Sequence, residues 1–145
     1  MASLAAAVWR PIVTEIVRER IGAGEPTWLP VRGRSMRPLL WRGTRILVAR
    51  ATRVGPGDLL AYENEGSIVC HRVLGRRGLA LLTLADHRGA EAERVLPAQV
   101  VGVVIAIERA GVVVDLTTRT RRALALVAAA HSIGAAGWAR ARRLW

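Results

Sequence analysis

One serine lies at a junction where its hydroxyl could act as a nucleophile. A strand-like run stops at Ser35, and Pro38 favours a short helical turn just after it. Such a junction can expose a hydroxyl beside backbone N–H groups, which is what acyl transfer needs. Taken alone, Ser35 is better explained as the cap of that turn. The G-x-S-x-G motif is absent, because Arg37 stands in place of its second glycine.

Three histidines could supply a general base. His71 alternates with Val69 and Val73 in a strand-like run, so it belongs to an apolar face. Burial disfavours the charged imidazole, and a neutral His71 would be available as a base near pH 7. The alternative is a core histidine hydrogen-bonded to a carbonyl group. His87 lies in a polar stretch and His131 in an alanine-rich tail, and neither has a comparable setting.

Two aspartates stand at the ends of strand-like runs. Asp86 follows the apolar run 79–84, where a carboxylate could orient a neighbouring imidazole and stabilise its charged form. Equally, Asp86 could form an Asx-turn or pair with Arg88. Asp58 follows a Gly-Pro-Gly turn that ends at Gly57, and we interpret this pair as structural.

The composition excludes several kinds of chemistry. All 22 basic residues are arginine, so Schiff-base lysines, P-loop lysines and Ser–Lys dyads are excluded. The single cysteine, Cys70, excludes disulfide stapling and cysteine-rich zinc sites and fits a reducing compartment. We expect neither a metal nor an organic cofactor. Any general base must therefore be histidine, aspartate or glutamate.

The first 24 residues predict an amphipathic helix. Over 4–21, five apolar residues fall on one helical face: Ile12, Val13, Ile16, Val17 and Ile21. Pro11 fits near the start of this helix, since proline is tolerated in the first turn. The run begins without a basic region, so we expect no export signal.

Residues 25–116 predict a compact, mostly-β domain, since short apolar runs alternate with glycine-containing turns. The expected strands are 28–34, 45–49, 58–63, 67–74, 79–84, 100–108 and 112–116. Residues 117–145 return to helical composition, with arginine blocks on both sides of 123–139. We rank three interpretations of this tail: a helix packed on the β domain, a helix on an anionic membrane surface, and a single membrane span.

Six segments of the chain resemble motifs of one protein family and occur in the same order as in that family. The stretch 33–39 resembles the G-x-S-M-x-P box of signal peptidase I and of the self-cleaving LexA and UmuD domains. Two further segments, 43–48 and 57–62, resemble the family's two G-D strands. The segment 70–73 resembles its V-H-R-V strand, 83–86 its T-x-G-D loop, and 101–104 its closing V-G-x-V strand. The similarity covers 31–108, more than half of the chain.

The resemblance implies a signal-peptidase/LexA-like β domain, here flanked by an amino-terminal and a carboxy-terminal helix. One branch of the family uses a lysine base. The other, which includes the endoplasmic-reticulum and spore-former signal peptidases, has histidine there, and a chain without lysine fits only this branch. Ser35 would then be the nucleophile, His71 the general base and Asp86 its acidic partner.

The resemblance also assigns Gly33, Arg34 and Met36 to the oxyanion hole and to substrate binding. Two residues depart from the family pattern: Thr44 replaces an aspartate, and Ala85 replaces the glycine before the acid. We also expect no amino-terminal membrane anchor of the kind typical of signal peptidases. The threonine affects a turn contact and the alanine affects the position of the acid. The expected lack of an anchor bears on whether the substrate is a signal peptide.

The expected function is that of a serine endopeptidase that cleaves an extended peptide. The expected substrates include preproteins and leader peptides. The alternative is a catalytically silent domain of the same fold that binds a peptide or nucleic acid. The net charge of +11 favours this alternative, because arginine-rich surfaces attract phosphate. Dispersed arginines and 4% aromatic residues disfavour nucleic acid. A self-cleaving regulator ranks third. We expect a cytoplasmic or peripherally membrane-associated protein, with an anionic membrane surface contacted through 119–145.

Overall fold

The computed structural model describes residues 4–32, 36, 40, 43–86, 90–118, 121, 123 and 127. These residues form one long helix, eight strands and a single 3₁₀ turn at Pro97–Gln99. The long helix is α1 (Leu4–Gly22). The strands are β1 (Thr27–Pro30), β2 (Arg45–Ala49), β3 (Leu59–Asn64), β4 (Ser67–Arg77), β5 (Ala80–Leu84), β6 (Glu93–Val95), β7 (Val100–Arg109) and β8 (Val112–Asp115). The prediction of a mostly-β domain after an amino-terminal helix is confirmed.

The strands form one antiparallel sheet in the order β1-β2-β7-β3-β4-β5-β6, and β8 pairs with β7. The β3–β4 hairpin turns through Glu65 and Gly66, whose φ angles are 50° and 76°. Two positive φ angles are what a two-residue hairpin loop requires, and glycine supplies the second without strain. Strand β6 is absent from the prediction, because its three residues lie in a polar stretch and become a strand only by pairing with β5.

Apolar side chains cover both faces of the sheet. Consecutive residues of a strand point to opposite faces, so β3 sends Leu59 and Ala61 to one side and Leu60 and Tyr62 to the other. The first cluster packs on one face and consists of Val17, Ile21, Met36, Leu40, Ile46, Val48, Leu59, Ala61, Ala85, Val101, Val104 and Ile107. The second cluster packs on the opposite face and consists of Leu60, Tyr62, Val73, Leu81 and Val95. Any polar group on these faces therefore needs a specific partner.

Helix α1 packs through a different face from the predicted one. Val17 and Ile21 are buried as expected, but Ile12, Val13 and Ile16 are about half exposed. The packed face is fixed by two polar side chains that the hydrophobic pattern ignores. Thr14 donates a hydrogen bond to Gly66 O at 3.0 Å, and Arg18 donates to Ala98 O at 2.6 Å. These long-range bonds decide which side of the helix faces the sheet.

The position of Pro11 also corrects the prediction, since it lies inside α1 and not near its start. The helix begins at Leu4, so a proline at position 11 removes one helical hydrogen bond. Its ring sits against the β3–β4 turn, where a Cβ atom on Gly66 would lie 3.3 Å from Pro11 Cγ. Packing on this turn offsets the lost bond.

The tail 117–145 is described at five positions, of which 117 and 118 continue from the sheet. Arg121, Ala123 and Val127 are helical, and the remaining residues from 119 onward lie outside the described part of the chain, so the predicted segment 123–139 is described only at residues 123 and 127. Within the part that the structure describes, no helix combines the length and apolar character that crossing a membrane requires.

Candidate active site

Strand β4 presents His71 and Arg72 on opposite faces of the sheet. His71 is opposite Leu60 of β3, on the side of the second cluster, and Arg72 is opposite Leu59, on the side of the first. The predicted alternation of His71 with Val69 and Val73 thus agrees with the sheet register. The two neighbours have separate surroundings.

The imidazole of His71 lies beside a tyrosine and a glutamate. His71 Nδ1 is 2.8 Å from Tyr62 Oη and 3.7 Å from Glu93 Oε2. The rings of His71 and Tyr62 meet edge to face, with centroids 5.7 Å apart. The His71 side chain is 12% exposed. This setting is not that of a core histidine bonded to a backbone carbonyl through Nδ1.

Tyr62 connects His71 to Glu93. Its hydroxyl donates a hydrogen bond to Glu93 Oε2 at 2.5 Å. Burial raises the pKa of Tyr62 above its usual range, and the hydrogen bond to Glu93 raises that pKa further. The phenol therefore keeps its proton at any pH at which the protein works. The three side chains come from β3, β4 and β6, which the register aligns on one face of the sheet.

Neither Tyr62 nor Glu93 is among the site residues predicted from the sequence. One signal was present: Tyr62 is the only tyrosine of the chain and directly follows the apolar residues 59–61, and a buried tyrosine hydroxyl generally finds a partner. No local signal marks Glu93, because its strand exists only through pairing with β5.

On the opposite face, Asp86 pairs with Arg72. Arg72 Nε donates to Asp86 Oδ1 at 2.9 Å, and Arg72 Nη2 donates to Oδ2 at 2.7 Å. The two side chains are only 4% and 8% exposed. Arg72 Nη1 also donates to Gly57 O at 3.0 Å. The structure thus gives the Asp86 carboxylate to Arg72, and not to His71 as the resemblance implies, because Asp86, two residues beyond β5, lies on the Arg72 face of the sheet.

Met36, the residue after Ser35, is anchored in this same region. Its side chain is 3% exposed and belongs to the first cluster. Its sulfur accepts a hydrogen bond from the backbone N–H of Asp86 at 3.4 Å. The side chain of Met36 packs the core, and the assignment of Met36 to the oxyanion hole and to substrate binding stays a prediction. Gly33, Arg34 and Ser35 lie outside the described residues.

The turn before β3 is held by its own aspartate. Asp58 Oδ2 accepts a hydrogen bond from Gly55 N at 2.9 Å. Gly57 N donates to Val73 O, and Val73 N donates to Asp58 O, both at 2.8 Å. These contacts agree with the structural role predicted for Gly57 and Asp58. They also hold the Gly57 carbonyl where Arg72 reaches it.

Both departures from the family pattern are buried. Thr44 is 1% exposed, and its backbone carbonyl accepts a hydrogen bond from Val31 N at 2.9 Å. Ala85 is 5% exposed and belongs to the first cluster.

Cys70 packs against the first cluster, on the face opposite His71. Burial raises the pKa of the Cys70 thiol to about 12. Because the thiolate is the nucleophilic form, this cysteine is inert near neutral pH.

Part of β4 has an edge that no described strand covers. Ile68–His71 pair with β3 on one side, and β5 pairs only from Arg72 onward on the other. Since Asn64 and Ser67 close the two-residue loop as a hydrogen-bonded pair, the backbone groups of Ile68 and Cys70 point away from β3. Within the described strands, this edge next to His71 is available to another extended chain.

No group of three or more metal-binding side chains occurs among the residues described. The chain matches no protein-family model, and a search of curated proteins found no match.

Proposed function

We propose that the chain is a serine endopeptidase of the signal-peptidase type, with Ser35 as nucleophile and His71 as general base. The observation that carries the proposal is a series of contacts from Met36 through Asp86 to Arg72. Met36 is next to Ser35 in the chain, and Arg72 is the neighbour of His71 in β4, with its side chain on the opposite face of the sheet. Three of the segments that resemble the family thus meet in one buried region.

In this proposal the hydroxyl of Ser35 attacks the carbonyl carbon of the scissile bond while its proton passes to His71 Nε2. The tetrahedral oxyanion is held by backbone N–H groups, including that of Ser35. His71 then gives its proton to the leaving amine as the C–N bond breaks. A water molecule, deprotonated by His71, hydrolyses the acyl-enzyme and restores Ser35.

The substrate is an extended peptide. The uncovered edge of β4 at Ile68 and Cys70 offers backbone donors and acceptors immediately before His71 in the strand, which suits addition of a peptide strand. By the resemblance, the residues that flank the scissile bond are small. In this proposal Asp86 acts by position: it holds Arg72 with its carboxylate and Met36 with its backbone N–H.

Cleavage of peptides that contain Ala-x-Ala tests the proposal. We expect the wild-type chain to cleave them, and Ser35→Ala and His71→Ala each to lose activity by a factor of roughly 10² or more. His87→Ala is the matched control and should retain activity. Equal activity in wild type, Ser35→Ala and His71→Ala would end the proposal. Steeply salt-dependent binding to duplex DNA without peptidase activity would favour the silent binding domain.

We also propose that the tail contacts an anionic membrane surface. The support is its sequence, in which arginine blocks bracket an alanine-rich segment. The full chain should sediment with vesicles that contain anionic lipid and not with zwitterionic vesicles, and the binding should weaken as salt increases. Neutralising the arginines of 119–122 and 140–143 together with glutamine should abolish it. Equal binding to both kinds of vesicle would contradict this proposal.

A further inference from the structure

The position of the Tyr62 proton fixes the hydrogen bond between Tyr62 and His71. A tyrosine hydroxyl has a single proton, and an ionised carboxylate can only accept hydrogen bonds. The 2.5 Å contact between Tyr62 Oη and Glu93 Oε2 therefore takes that proton. Tyr62 Oη has none left for His71, so at 2.8 Å it must accept a hydrogen from Nδ1.

This assignment selects one tautomer of His71. With the hydrogen on Nδ1, the neutral imidazole has no hydrogen on Nε2, which is then the basic nitrogen. A general base needs its unprotonated nitrogen toward the group that it deprotonates. The sheet register fixes this arrangement. The three side chains project from β3, β4 and β6 on the same face of one hydrogen-bonded sheet.

We propose that Tyr62 and Glu93 are positioning residues that hold His71 as the Nδ1–H tautomer and leave Nε2 as the base. This inference rests on the proposed function for its catalytic meaning. It differs from what the resemblance implies, because Asp86 is bonded to Arg72 and the acidic group on the His71 side is Glu93, acting through a tyrosine.

The electrostatics agree with the geometry. Glu93 Oε2 is 3.7 Å from His71 Nδ1, close enough to stabilise the imidazolium that forms when Nε2 takes a proton. The side chain of Tyr62 is fully buried, so water does not compete for its hydroxyl. Glu93 is 45% exposed, and its contribution depends on the hydrogen bond more than on its charge.

The tautomer can be read directly by ¹⁵N NMR of the imidazole, at a pH at which His71 is neutral. The His71 resonances are assigned by their loss in His71→Ala. In the wild-type chain we expect the hydrogen on Nδ1. In Glu93→Ala the Tyr62 proton is released and can be donated to His71 Nδ1, so the hydrogen should move to Nε2. Glu93→Gln keeps an amide oxygen that accepts the Tyr62 proton and should preserve the wild-type tautomer.

Peptidase activity gives a second measurement. Glu93→Ala and Tyr62→Phe should lower kcat by roughly 10²-fold, the low end of what a general base contributes, with KM unchanged. Glu93→Gln should recover most of kcat, and Glu91→Ala is the matched control of a neighbouring exposed glutamate. Loss of packing alone would not separate Glu93→Gln from Glu93→Ala.

The outcomes separate the two proposals. A His71 hydrogen on Nε2 in the wild type, or a tautomer unchanged in Glu93→Ala, overturns the inference and leaves the peptidase proposal intact. The tautomer pattern without any peptide cleavage supports the hydrogen-bond assignment and overturns the proposed function. If Tyr62→Phe does not fold, the comparison of Glu93→Ala with Glu93→Gln decides the inference by itself.

Discussion

Replacing Asp86 by asparagine leaves the Arg72 guanidinium buried without its counter-charge. The two side chains are 4% and 8% exposed and are joined by two hydrogen bonds, of 2.9 and 2.7 Å. Removing one partner of a buried ion pair costs about 3–5 kcal/mol, because the other charge stays desolvated. Asparagine can still accept one bond, and Gly57 O still accepts another from Arg72. We therefore expect a loss near 3 kcal/mol for Asp86→Asn and nearer 5 kcal/mol for Arg72→Met.

Urea unfolding followed by circular dichroism measures these losses. The midpoint should fall with an unchanged m-value, and the melting temperature should drop by roughly 2–4 °C per kcal/mol for a chain of this size. Glu108→Gln is the matched control, because Glu108 accepts a hydrogen bond from Arg45 at 3.1 Å in a largely exposed pair. That variant should lose no more than about 1 kcal/mol.

The double variant Arg72→Met/Asp86→Leu removes both partners of the ion pair. It removes both charges from the first cluster, so it should be more stable than either single variant. If Asp86→Asn loses no more stability than Glu108→Gln, the ion pair is not the buried, desolvated element described above. The anchoring of the region around Met36 would then need another explanation.

Three further predictions follow from burial and close approach. In Gly102→Ala the new Cβ would lie 2.3 Å from a backbone oxygen of β2, so stability should fall by about 3 kcal/mol in urea unfolding, whereas Gly55→Ala meets nothing within 4 Å and should change it by no more than about 0.5 kcal/mol. Ile21→Ala should cost about 2–5 kcal/mol and Ile16→Ala no more than about 0.5, and equal losses in thermal melts would refute the assigned packed face of α1. Since the pKa of Cys70 is about 12, its alkylation by iodoacetamide at pH 8 should be roughly 10³-fold slower than in the urea-unfolded chain.

The strand pattern was predictable from local sequence, and its exceptions are instructive. The apolar runs and glycine turns predict seven of the eight strands within a few residues. Strand β6 could not be found in this way, since Glu93 and Arg94 have no apolar alternation. The face of α1 was predicted wrongly, because hydrophobic periodicity ignores Thr14 and Arg18, whose hydrogen bonds reach residues 52 and 80 positions away.

The candidate site was likewise predictable from the sequence only in part. Alternation within β4 correctly places His71 on one face, with Val69 and Val73. It does not reveal that Asp86 lies on the other face, bonded to Arg72, since this contact joins residues 14 positions apart in the chain. The partners of His71 come from β3 and β6, and their distance along the chain hides the relation.

The sequence by itself determined which chemistry is possible. A chain without lysine has no Ser–Lys dyad, a chain with one cysteine has no disulfide within it, and the strand periodicity follows from local side-chain alternation. Only the tertiary structure decided which carboxylate serves which cation or imidazole. Hydrogen bonds act over about 3 Å, and only the pairing of strands brings Tyr62, His71 and Glu93 within that range while it turns Asp86 toward Arg72.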